Sequence, residues 1–162
     1  MTNRLFLWAL LAFLSIGVAG QAVAADDIGD RGMARVKSAY TVAETVERGE
    51  AALTERGMVL FGRFDHAQAA DGVGLNLPPT VVIIFGNPRA GTPAMAKEPL
   101  SAIDFPLKAL VYQDASGDVW FAYNTAEYVF GTIFERHHLK APAEAPDRYR
   151  ALMQAVASAA TQ

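Results

Sequence analysis

Thr80 to Phe85 is an unbroken β-branched and aromatic run, Thr-Val-Val-Ile-Ile-Phe. A run with no polar face suits a strand covered on both sides, so it is expected to form the middle of a sheet. It stops at Gly86-Asn87-Pro88, where the backbone must turn. Ala90-Gly91 is a second turn signal. Thr92 and Pro93 then suit the N-cap and first position of a short helix, Pro93 to about Glu98. A dry strand that empties into a Gly/Pro loop is a place where sites are built, although it names no reaction.

The segments on either side fill in a sheet with helices. Arg35 to Tyr40 is a short strand with weak alternation. Thr41 and Glu44 have capping-box spacing and start a helix that Gly57 stops. Met58 to Phe64 is a strand with Met58, Leu60, Gly62 and Phe64 on one side. Asp65 and Gln68 cap a helix of one or two turns, ended by Gly72 and Gly74. After the central strand, Leu107 to Gln113 and Val119 to Tyr123 are strands joined by the turn Asp114-Ala115-Ser116-Gly117-Asp118. Asn124 and Glu127 give a further capping box for a helix from Thr125 to about His138. A Pro/Ala linker then leads to a last helix, Pro146 to Ala160, with Tyr149, Leu152, Met153 and Val156 inward. The order β-α-β-β-β-β-α is α+β: a mixed or antiparallel sheet of about five strands with helices mainly on one face.

The first 25 residues read as a secretory signal peptide. Arg4 supplies a positive start, Leu5 to Val18 an apolar stretch short for a bilayer, and Ala22-Val23-Ala24 a small-residue cleavage signal. An uncleaved anchor is the alternative. Residues 26–34 are expected to be a flexible N-terminus, 35–139 a single α+β domain, and 140–162 a linker with the last helix. The expected location is periplasmic or secreted, with no membrane attachment after cleavage. The chain has no cysteine, which excludes disulfides, a covalent c-type haem and a lipoprotein anchor. With 14 basic and 17 acidic side chains the net charge is −3, and no basic stripe marks a nucleic-acid partner.

Several segments together resemble one known family. They are Phe64-Asp65-His66 with Ala69-Ala70, Pro79 through Phe85-Gly86-Asn87-Pro88, and Gly91-Thr92-Pro93-Ala94-Met95. Ile103-Asp104-Phe105-Pro106-Leu107-Lys108 and Trp120-Phe121-Ala122-Tyr123-Asn124 follow. In this order and spacing they resemble the domain of unknown function 302 family, over about Arg35 to His138, with Phe105 standing where Leu is expected. The resemblance implies a TBP-like α+β fold and a homodimer. It implies no reaction.

Candidate chemistry gathers at a few positions. His66, at a strand end, can act as a base or bind a metal or haem iron, or it fixes the strand-to-helix turn. Asn87, Arg89 and Thr92 form a loop that can cradle an anion at a helix start, or serve backbone geometry alone. Met95 is a soft axial ligand for haem or a core filler. Asp104 and Lys108 flank Pro106 as an ion pair, or supply a lysine base. His137 and His138 point to different faces of a helix end, so they are not a metal pair, although one of them can reach a pocket. No Cys, Gly-x-Ser-x-Gly or His-Glu-x-x-His nucleophile or metal motif is present. Three function classes follow. The first is an exported small-ligand-binding or accessory protein, with haem as one ligand, near His66 and the Gly86 to Met95 loop. The second is a small hydrolase or isomerase with His66 or Lys108 as base. The third is an interaction module acting as a dimer.

Overall fold

A computed structural model describes residues 26–27 and 32–162. The expected signal peptide, residues 1–25, and residues 28–31 of the expected flexible N-terminus lie outside the described residues.

The described elements run β1 (Asp26–Asp27), β2 (Met33–Ser38), α1 (Val42–Glu55), β3 (Val59–Asp65), α2 (His66–Asp71), β4 (Thr80–Gly86), α3 (Pro88–Lys97), a 3-10 turn (Pro99–Ile103), β5 (Leu107–Gln113) and β6 (Val119–Asn124). A π-helical turn (Tyr128–Ile133) runs into α4 (Phe134–Arg136), and α5 (Ala145–Thr161) ends the chain. The strands form one sheet in the order β1-β2-β6-β5-β4-β3, antiparallel throughout. β2 to β6 are its body, and the two residues of β1 pair with Arg35 and Ala34 at its edge. Part of the segment expected to be flexible is therefore paired into the sheet.

α1 begins as its capping box requires. Thr41 accepts from the Glu44 backbone N–H, and Glu44 reaches back to the Thr41 N–H at 3.0 Å. Val42, Val46 and Leu53 are buried beneath it. α5 lies beside α1 on the same face and buries Tyr149, Met153, Val156, Ala157 and Ala160. Both helices cover Ile83, Phe85, Val111 and Phe121, which alternate along β4, β5 and β6 and are 0 % exposed. The last helix thus closes the same core as the segment before it. Gly49 lets α1 sit close. A Cβ there would lie 3.1 Å from Phe121 Cε2 and 3.4 Å from Ile83 Cδ1.

The central strand is covered on one side, not two. Val82 and Ile84 face away from the helices and are half-buried. Their face continues into Tyr112, Trp120 and Arg35, whose guanidinium lies 4.1 Å from the Trp120 ring. An apolar run does not report how many layers cover it, because half-buried Val and Ile are ordinary on an open face.

Local differences have physical reasons too. In β3 the register shifts between Leu60 and Gly62. This bulge puts Leu60 opposite Phe85 but Phe64 opposite Val82, so the two face opposite sides. The helix after β4 starts five residues earlier than expected. Asn87 is its N-cap, Pro88 takes the first position, and Thr92 and Pro93 lie inside it. The helix after β6 is capped by Thr125, whose hydroxyl accepts from the Tyr128 N–H. Asn124 stays in β6, and its carbonyl accepts from the Tyr149 hydroxyl at 2.7 Å.

Candidate functional site

At one end of the sheet β4 stops at Gly86, β5 starts at Leu107 and β6 stops at Asn124. A Cβ on Gly86 would come within 3.7 Å of Pro106, so the chain leaves and re-enters the sheet at nearly the same place. Between these points, α3 packs on the 3-10 turn Pro99–Ile103. Glu98 starts that turn by accepting from the Leu100 N–H, and Asp104 closes it by donating its N–H to the Ser101 carbonyl. A 3-10 helix has three residues per turn, so Leu100 and Ile103 share one side, and Ser101 and Asp104 another. Leu100 and Ile103 are 75 % and 74 % exposed, whereas Ser101 is fully buried.

The segment after β6 brings the matching groups. α4 closes with the two bonds of a Schellman motif, Leu139 N–H to the Phe134 carbonyl and His138 N–H to the Glu135 carbonyl. His138 holds the left-handed position, with φ of 52°. This geometry makes His137 the C-cap and turns its side chain inward, 7 % exposed. His137 Nε2 lies 2.5 Å from Asp104 Oδ2. Arg136 Nη1 donates to both Asp104 oxygens, at 3.2 and 3.3 Å. Phe105 packs edge-on against Phe134, and Phe130 touches both Phe134 and Tyr149, so a row of aromatic rings fixes the carboxylate against the imidazole. The cluster opens on a hollow of about 350 Å³ lined by Leu100, Ile103, Arg136 and His137.

The residues singled out from the sequence are distributed differently. His66 follows β3, beside the Val81 end of β4, while Asn87 follows the Gly86 end. Five residue steps of strand, about 17 Å at ~3.3 Å each, separate those ends, so His66 and the loop after β4 do not share a hollow. His66 is exposed and stacks edge-on against Phe64 at 4.9 Å, while Asp65 caps α2 through the Gln68 N–H.

At Asn87, Arg89 and Thr92, expected to cradle an anion, the backbone N–H groups of the helix start are engaged within the turn. Pro88 has no N–H, Asn87 Oδ1 accepts from Arg89 N–H, and the Asn87 carbonyl accepts from Ala90 and Gly91. Arg89 and Thr92 are exposed on α3, and Met95 is half-buried there. Asp104 and Lys108 do not pair. Asp104 is held by Arg136 and His137, and the exposed Lys108 donates to the Pro106 carbonyl at 3.1 Å. Among the described residues no three His, Cys, Asp or Glu side chains gather as a metal site.

The family model of the Domain of unknown function DUF302 matches residues 34–159. The chain belongs to the DUF302 family. A crystal structure of an uncharacterized conserved DUF302 protein from Bacillus stearothermophilus superposes with a TM-score of 0.65 at 20% identity. The match covers 80% of this chain and 98% of that one, and shows the shared fold. A Brucella suis biovar 1 protein named fluoride-specific ion channel FluC 1 is 42% identical over 110 residues, 68% of this chain and 42% of that protein. The Brucella melitensis biotype 1 protein named fluoride-specific ion channel FluC 2 gives the same identity and span, over 39% of its length. This DUF302 chain therefore spans about two-fifths of the length of the curated relatives it matches. No helix among its described residues is long and apolar enough to cross a membrane.

Proposed function

We propose that this chain is an exported accessory protein whose DUF302 domain binds a small molecule in the hollow beside Asp104 and His137. One observation carries the reading. A buried imidazole, held by a carboxylate, lines an opening whose other wall is two exposed aliphatic side chains. Pockets that combine an apolar wall with a few fixed polar groups are the usual form of small-molecule sites. The accessory part is supported by the Brucella relatives. They carry the name of a fluoride-specific ion channel, and the shared segment makes up about two-fifths of each. A shared segment with no spanning helix among the described residues suits a module that serves such a channel rather than forms its pore. Export rests on the Leu5 to Val18 run and the Ala22-Val23-Ala24 signal.

The test is expression from the full chain, followed by N-terminal sequencing and native mass spectrometry of protein recovered from the periplasm. The expected result is a start after Ala24 or Ala25 and a retained small mass that is lost in His137→Ala. Protein that stays inside the cell sinks the export part. A folded wild-type protein carrying no small molecule sinks the binding part. In the haem version His66 would hold the iron, and a hemin titration without a Soret shift removes it.

A homodimer is a second reading, favoured by the edge strand β3. Its Val59, Phe61 and Phe64 are 44 to 54 % exposed, and its outer edge is unpaired among the described residues. Light scattering that reports a monomer at high concentration, with Phe61→Glu leaving the mass unchanged, removes it.

A further inference from the structure

The geometry points to a small amphipathic carboxylate as the occupant of the hollow, with its anionic end at Arg136 and its alkyl body against Leu100 and Ile103. This rests on the small-molecule reading above and adds the ligand class.

The polarity of the floor decides the sign of the charge. Both Asp104 oxygens already accept, Oδ1 from Arg136 and Oδ2 from Arg136 and His137. A cation entering the hollow finds the carboxylate engaged. Arg136 has five N–H donors and meets Asp104 through Nη1. Its side chain is 62% exposed and lines the hollow, so donors beyond Nη1 remain open to solvent there. A carboxylate is the planar acceptor that such a fork fits.

The apolar wall decides the rest of the molecule. Leu100 and Ile103 are aligned by the 3-10 geometry and belong to no core cluster. Folding gains little from them where they stand, whereas an alkyl chain laid across them removes apolar surface from water on both partners. The hollow, about 350 Å³ and open to solvent, leaves room for a small amphipathic acid.

The probe is octanoate, with octanol as its uncharged counterpart, titrated into isotope-labelled purified protein and followed by backbone amide shifts. Octanoate is expected to shift the amides of Leu100, Ser101, Ile103, Arg136 and His137 saturably. Octanol is expected to bind about tenfold more weakly, because it lacks the charge-assisted hydrogen bonds. Arg136→Gln should weaken octanoate about tenfold and leave octanol unchanged. Leu100→Ser should weaken both several-fold. Both side chains are largely exposed, so neither variant threatens the fold. The inference is overturned if octanoate shifts other amides or none, if octanol binds equally well, or if Arg136→Gln has no effect. A retained molecule that is not a carboxylate, lost in His137→Ala, overturns the ligand class and leaves the binding reading standing. Loss of every retained or added ligand removes both.

Discussion

Replacing Gly49 tests whether α1 is seated on the sheet as closely as described. The position faces Phe121, Ile83 and Ala160, with a Cβ landing 3.1, 3.4 and 3.7 Å from them. Phe121, Ile83 and Ala160 are all 0 % exposed, so none has room to retreat. In Gly49→Ala, one methyl gains about 1 kcal/mol of helix propensity. It also pushes a buried ring by a few tenths of an ångström, so the two effects nearly cancel. Gly49→Leu adds three more carbons to the same space. Overpacking typically costs about 1–3 kcal/mol, and here the crowding starts at the first carbon. A net loss of about 2 kcal/mol is expected. Urea unfolding followed by Trp120 fluorescence measures it. With a slope of ~2 kcal/mol per molar, the midpoint should fall by about 1 M while the slope stays constant. Ala51→Leu, on the exposed side of α1, is the control and should leave the midpoint in place. A Gly49→Leu midpoint equal to wild type would show that α1 does not meet Phe121 and Ile83 at this distance, and the packing argument would fail.

Burial pushes the Tyr149 hydroxyl far above its ordinary value of 10.0, with the nearby Tyr123 adding to it, and burial raises Tyr123 as well. Above pH ~10 the unfolded chain loses these protons while the folded one keeps them. Stability should therefore hold up to about pH 10 and fall beyond it, with Tyr149→Phe flattening the fall in alkaline unfolding curves. Asp114 accepts from Trp120 Nε1 at 2.8 Å, and that bond holds its carboxyl below the ordinary 3.8. Its contribution is present above that value and lost as pH drops through the lower folded one, so Trp120 emission should titrate below pH 3.8 and stop doing so in Asp114→Asn. His138 occupies a left-handed C′ position that favours glycine, and His138→Gly should stabilise the fold against thermal unfolding by up to about 1 kcal/mol. Asp104→Ala leaves the buried His137 without its carboxylate and should cost about 2 kcal/mol; an unchanged melting temperature would show that the pair does not hold the two segments together.

Local chemistry was readable along the chain, and distant pairing was not. Thr41 with Glu44 announced α1 because both halves of the cap lie within four residues. The Asp114–Asp118 turn was equally self-contained, with Asp114 accepting from the Ser116 and Asp118 N–H groups. Asn87-Pro88 read as a turn, yet the same pair is a good N-cap and first helical residue; only the tertiary position of α3 on the 3-10 turn separates the two. The β3 bulge inverts Phe64 without leaving a mark in the hydrophobic pattern beyond Gly62 itself. Asp104 stood out by its neighbourhood to Pro106, but its partners lie 32 and 33 residues away, beyond what spacing reports. The imidazole that meets Asp104 is that of His137, whereas His66 lies at the far end of β4. The available signal was the His-His pair at a helix end, where a left-handed second residue turns the first one inward.

The position of the hollow also follows from an excess of chain. β4 and β5 are antiparallel neighbours, and such strands are joined most economically by two to five residues. The next connection along the sheet does nearly that, from Gln113 to Val119. Between β4 and β5, however, the chain spends residues 87–106 on α3 and the 3-10 turn, and buries none of α3. An insertion that adds so little to the core is not explained by the stability of the sheet. What it does add is the Leu100 and Ile103 wall and the Asp104 carboxylate, delivered to the same end at which β6 releases Arg136 and His137. Shortening the connection to a tight hairpin would keep every strand pair and the α1/α5 face intact while removing one whole side of the hollow. The sheet and its two helices are the support, and the long connection is carried on one end of it.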